Sequence, residues 1–226
     1  MSDPLSALTR YERDPEVRYG FYLRPSYAMS RAQALLHEVL RRQFGLITAG
    51  AFMPHATIKG FFRTDATIAE MKAALDGVMA DRPTFTVVNN GPLAYGRRSV
   101  VLNIQQDEFG ETNHALQALH EDAFAALSPF VHPDCTFTPV EWSGSRFFAH
   151  LTLIQGMPRE DFFDEIFAYL QDAEPIGPRR FDAEYCHLYA FRSEDWEGDW
   201  GATLTWEMLH SWKLAGVGPR REPTVD

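Results

Sequence analysis

The chain has only two cysteines in 226 residues, Cys135 and Cys186, and no CxxC pair. Neither a disulfide framework nor a thiolate metal site is suggested, and two reduced cysteines fit a cytoplasmic protein. No apolar run approaches the roughly 18 residues of a membrane span, so none is expected. Met1-Ser2-Asp3-Pro4-Leu5 lacks the basic start and apolar stretch of a secretory leader. Positive charge is also scarce: 21 Lys and Arg face 31 Asp and Glu, for a net charge of −10. Proteins that follow a long nucleic-acid backbone show the opposite balance. An extended duplex is therefore disfavoured as a partner, and a compact ligand or one end of an oligonucleotide is favoured.

Several common signatures are missing as well. The sequence holds no GxxxxGK[ST], GxGxxG or HExxH, and Trp142-Ser143-Gly144-Ser145 lacks the first glycine of a GxSxG elbow. His114 and His120 lie six apart, the wrong spacing for a shared i, i+4 metal site on a helix. His37, His132, His187 and His210 fall in no pattern and read as surface or structural residues.

What the chain does contain is one short motif written twice. Pro54-His55-Ala56-Thr57-Ile58 lies in the first half and Ala149-His150-Leu151-Thr152-Leu153 in the second. In a strand alternate side chains share a face, so each His and its Thr point the same way, about 6.6 Å apart at about 3.3 Å per residue. A lone His in a strand is more often a buried structural residue than a catalyst. Two such tripeptides at matched places in a repeated unit are different. Two imidazoles for proton transfer and two hydroxyls for phosphate oxygens suit phosphodiester chemistry without a metal.

Element patterning supports the repeat. Val17–Leu23 reads as a strand, Ser30–Phe44 as a helix stopped by Gly45, and Pro54–Phe62 as the first motif strand. A helix over Thr67–Met79 and strands over Thr84–Val88 and Ser99–Ile104 follow, the last two joined through the turn-rich Asn89-Asn90-Gly91-Pro92. The second half gives a helix over Thr112–Leu127, the second motif strand over Arg146–Ile154, and a helix over Pro158–Leu170. Strands over Arg180–Phe191 and Ala202–Lys213 complete it. The proline-bearing connection Ser128–Ser145 reads as a functional loop or a lobe junction.

On the two motifs, their apolar flanks and the order of elements, the chain resembles the 2H phosphoesterase superfamily, which includes 2′-5′ RNA ligase-like proteins and RNA 2′,3′-cyclic phosphodiesterases. The resemblance covers roughly Val17 to Leu214. It implies an α+β, bilobal fold: two pseudo-twofold related lobes, each an antiparallel sheet plus helices, around a central groove. Residues 1–16 are then an N-terminal extension, 17–214 one bilobal domain and 215–226 a tail. It also implies metal-independent, cofactor-free catalysis with His55 and His150 as base and acid and Thr57 and Thr152 as donors to the phosphate; a monomer is expected. The substrate would be a 2′,3′-cyclic phosphate of an RNA end or nucleotide. Alternatives are a cyclic oligonucleotide, an ADP-ribose cyclic phosphate, RNA-end joining of the 2′-5′ type, or a nucleotide-binding module without turnover.

Further residues join the candidate site by position. Lys59 shares the face of Thr57 and can meet phosphate. Tyr19 and Phe21 can stack on a base or pack in the core, and Arg146 and Phe148 alternate with His150 towards the groove. The segment Ser193–Trp200 is acidic and aromatic at a hairpin position, where it can cover a ligand or pack its tryptophans on the body.

Overall fold

A computed structural model describes residues 9–135, 144–156, 159–173 and 175–216. Its first run of elements is β1 (Val17–Arg24), α1 (Tyr27–Phe44), β2 (Ala56–Phe62), α2 (Ile68–Met79), β3 (Phe85–Val88) and β4 (Pro92–Ala94). The second is β5 (Val100–Asn103), α3 (His114–Leu127), β6 (His150–Ile154), α4 (Phe163–Asp172), β7 (Arg180–Ala183) and β8 (Tyr185–Arg192), and β9 (Thr205–Lys213) closes the chain. Strand–helix–strand–helix–strand–strand thus occurs twice. The fold is α+β.

Local chemistry sets the helix ends. Ser26 caps α1 by accepting from the Met29 amide, and Gly45 ends it in the left-handed conformation at φ 70°. Thr67 and Glu70 form a reciprocal capping box at the start of α2. The Asn113 side chain accepts from the Leu116 amide to open α3.

Seven strands form one sheet in the order β4-β5-β6-β2-β1-β8-β9, and β3 and β7 pair separately. Pairing crosses between the two runs. β4 joins β5, β8 joins β1 and β3 joins β7, so the last strands of each run complete ladders begun by the other. β2 and β6 meet at the centre through one pair, Ala56 opposite Leu151.

Helices follow the same exchange: α1 packs on β6 and α3 on β2. Tyr19, Phe21, Leu23, Ile58, Leu151 and Leu153 point into the main core. The opposite face carries a smaller aromatic cluster of Tyr22, Phe61, Tyr189 and Phe191 with Met53. Tyr11 is buried in the main core and its carbonyl accepts from the Tyr19 hydroxyl at 2.6 Å, so the described end of the N-terminal extension is packed down.

Several details differ from the sequence reading: α1 starts earlier, at Tyr27, α4 spans Phe163–Asp172, and β9 starts at Thr205. Arg180–Phe191 is two strands, because the chain leaves the small sheet at Glu184 and enters the large one. Pro92 starts a strand rather than only a turn; β4 lies at the sheet edge, where a missing N–H is tolerated. The second motif strand begins at His150, and Gly144–Arg146 is a short 3-10 turn. Pro158, Pro139 and most of the tail lie outside the described residues.

Leu151 is fully buried beside the central pair. Leu151→Ala should cost about 2–5 kcal/mol in urea unfolding. An unchanged midpoint would contradict the placement of the core at this junction.

Candidate active site

The Ala56–Leu151 pair sets the two motifs against each other. One step either way along an antiparallel ladder puts His55 across from Thr152 and Thr57 across from His150. All four line one cavity of about 780 Å³. The sheet places each His beside the Thr of the other motif.

Both imidazoles are held in the same way. His55 Nδ1 donates to the Met53 carbonyl at 2.7 Å, and His150 Nδ1 donates to the Phe148 carbonyl at 2.7 Å. A carbonyl only accepts, so the hydrogen sits on Nδ1 and Nε2 of each neutral ring carries the lone pair. Tyr22 meets the His55 ring edge-on at 4.8 Å, and Phe52 lies 5.4 Å away. His150 lies near-parallel to Tyr95 at 5.7 Å and to Phe148 at 5.9 Å. A Cβ at Gly20 would collide with the ring and hydroxyl of Tyr22, so the glycine leaves the space this ring occupies.

Burial disfavours the charged form of both histidines. His55 falls to about 4, chiefly by desolvation, with His150 and His37 adding repulsion against the bond to Met53. His150 is lowered by desolvation, opposed by its bond to Phe148. At neutral pH both rings are therefore neutral in the free protein.

The motif backbones are pinned from behind. Gln33 Nε2 at 2.9 Å and His37 Nε2 at 3.0 Å both donate to the Thr152 carbonyl, while His120 Nδ1 donates to the Ile58 carbonyl at 2.7 Å. Each motif strand is held by a helix from the other run. His37 and His120, patternless in the sequence, are backbone anchors beside the cavity.

The remaining sequence candidates divide. Lys59, Arg146 and Phe148 line the cavity. Arg146 and Phe148 reach it from the 3-10 turn and the segment after it, not by strand alternation. Tyr19 and Phe21 do not: both are fully buried, Tyr19 bonded to Tyr11 and Phe21 edge-on to Trp212 at 5.7 Å. In a strand buried on both faces, alternation alone does not say which side holds the cavity, and here it is the side of Tyr22. Trp200 joins the cavity wall, whereas Trp196 packs on Phe61 and donates to the Glu16 carbonyl. Tyr95, Phe52, His120 and Gln155 are wall residues that sequence reading missed. A second hollow of about 600 Å³ lies beyond Gln155 and Trp200, which border both spaces. Among the described residues no three His, Cys, Asp or Glu side chains gather as a metal site, and no helix is long and apolar enough to cross a membrane.

The family model described as the 2′-5′ RNA ligase superfamily matches residues 28–193, and the chain belongs to that family, the 2H phosphoesterase-like group. Solved structures share its fold. TT0787 of Thermus thermophilus is 14% identical with a TM-score of 0.59, over 88% of this chain and 98% of that one. Escherichia coli LigT complexed with NADP+ is 16% identical with a TM-score of 0.53, over 89% and 99%. LigT complexed with 3′-AMP is 16% identical with a TM-score of 0.50, over 88% and 98%. Among curated proteins none matches the sequence.

The buried histidines also tie stability to pH. His37, His55, His120, His150 and His187 are all lowered, each chiefly by desolvation, His55 and His187 to about 4. The unfolded chain titrates near 6.5 and so binds more protons than the folded one below that pH. Stability must fall as pH drops from about 6.5 towards 4. Melting temperatures between pH 7.5 and 4.5 should decline steadily; a flat series would refute the buried neutral rings.

Proposed function

We propose that the chain is a metal-independent phosphodiesterase that hydrolyses the 2′,3′-cyclic phosphate of an RNA end or nucleotide. One observation carries this reading: two imidazoles, each tied at Nδ1 to a carbonyl and with no hydrogen bond at Nε2 among the described residues, each set beside the threonine of the other motif. The repeated element order with exchanged strands supports two pseudo-twofold lobes with the reaction at their seam.

In the reaction, Nε2 of one neutral histidine takes a proton from water as its oxygen attacks phosphorus. The P–O bond to one ribose oxygen breaks, and the second histidine, protonated, gives its proton to that oxygen. Thr57 and Thr152 donate hydrogen bonds to the non-bridging oxygens, where negative charge grows. The substrate helps to set the protonation states. Both rings are neutral in the free protein, and an incoming phosphodiester anion raises the pKa of the imidazoles around it, so one takes up the acid's proton on binding. The LigT complex with 3′-AMP fits this chemistry, since a nucleoside 3′-phosphate is one of the two products such a ring opening can give. A non-catalytic nucleotide module is the second reading, and the presence of all four motif residues favours turnover over it.

Hydrolysis of nucleoside 2′,3′-cyclic monophosphates should proceed in EDTA. His55→Ala and His150→Ala should each lower kcat by about 10² to 10⁴ with the circular dichroism spectrum unchanged. Full turnover in either variant would sink the mechanism.

The pH profile gives an independent check. kcat/KM reports the free protein, where one ring must be charged and the other neutral, so its maximum lies between two pKa values that are both below 6.5. The kcat maximum, which reports the bound state, should lie at higher pH. A kcat/KM optimum near pH 8 would rule out the assignment.

A further inference from the structure

Lys59 follows Thr57 by two residues on β2, past a register irregularity opposite Phe21 and Tyr22, and lines the same cavity. Two residues of chain span about 7 Å at most, the scale on which neighbouring phosphates follow each other in one nucleic-acid strand. Its side chain is nearly all buried, the residue being 4% exposed. Nζ donates to the Gly60 carbonyl at 3.2 Å and lies 5.2 Å from the Phe62 ring centre. No carboxylate among the described residues forms an ion pair with it. An ammonium has three N–H donors, and this one spends a single donor on a carbonyl. Desolvation lowers its pKa to about 8, which leaves it mostly charged at pH 7. A buried cation held without a counter-ion is unfavourable unless a ligand supplies the negative charge.

His120 is on the same cavity wall, and Phe124 lies close to both it and Lys59. The His120 ring lies flat against Phe147, 3.8 Å apart at 4°, and Nδ1 is spent on the Ile58 carbonyl. Nε2 is buried and has no partner among the described residues. This compartment thus offers a cationic donor and an unused acceptor against an aromatic wall, beside the two His–Thr pairs. A ribonucleotide unit carries both complements, a phosphate for Lys59 and a ribose hydroxyl for Nε2.

We propose that Lys59 is a second-phosphate subsite. The preferred ligand then carries two phosphates one nucleotide unit apart, the first between the His–Thr pairs and the second on Lys59, with His120 accepting a hydroxyl of the same ligand. The inference rests on reading the cavity as a phosphodiester site. It makes Lys59 the residue that separates an oligonucleotide end from a mononucleotide.

The test is calorimetric titration with two ligands that hold no cyclic phosphate, adenosine 3′-monophosphate and adenosine 3′,5′-bisphosphate. The unaltered protein should bind the bisphosphate about tenfold more tightly or better. Lys59→Met should bring that ratio to within about twofold of one, whereas Lys59→Arg should retain it. Lys59→Gln serves in the same way if the Met variant fails to fold. Equal binding of the two ligands by the unaltered protein, or a ratio unmoved by loss of the charge, would overturn the subsite. The outcomes also separate the two levels of inference. Equal binding alongside cyclic-phosphate hydrolysis that His55→Ala abolishes removes the subsite alone. If neither nucleotide binds and no cyclic phosphate is turned over, the phosphodiester reading falls and the subsite with it.

Discussion

One backbone pairing, Ala56 against Leu151, carries the site. Two strands 95 residues apart meet there in antiparallel register, and the pleat sends His55, Thr57, His150 and Thr152 to one side and Ala56 and Leu151 to the other. A slip of one residue would send the motif side chains into the core and the core residues into the cavity. Packing of Leu151, Leu153 and Ile58 under the sheet therefore fixes the chemistry above it. Stability and site geometry are here a single constraint.

Polar anchoring supplies the precision that apolar packing lacks. Hydrophobic burial is non-directional, whereas a carbonyl gripped by Gln33 and His37, or by His120, cannot turn without losing those bonds. The same logic holds the catalytic candidates, whose Nδ1 atoms are tied to carbonyls two residues upstream. The cost is a set of buried rings that must stay neutral. Gln33 Oε1, His120 Nε2 and His187 Nε2 are buried without partners among the described residues. Only His120 of these three lies on the cavity wall.

Much of this was legible in the sequence, for identifiable reasons. The motif strands, the capped helices and the order of elements follow from local patterns: period two, period 3.6, Thr67 before a helix and Gly45 after one. Lys59 does line the cavity, but past a register irregularity in β2 that alternation does not describe. For Tyr19 and Phe21 the sequence leaves base stacking and core packing both open, because β1 is buried on both sides, where apolarity carries no direction; the structure packs both in the core. Arg146 and Phe148 reach the cavity by a route that alternation does not describe. Tyr95 and His120 gave no signal, since their place depends on contacts between distant segments. The exchange of strands between halves was equally invisible, because local patterning does not name a strand's partner.

That exchange bears on how the chain is made. β1 lies between β2, reached at residue 56, and β8, which begins only at Tyr185. While the polypeptide emerges from the ribosome, one edge of β1 stays open until β8 has followed, and β2 waits in the same way for β6. Such late, long-range ladders delay closure of the sheet and leave strand edges uncovered. Each half leaves strand edges that the other half covers, so the nascent first half has two ready mates: the second half of its own chain, or that of a neighbouring ribosome's product.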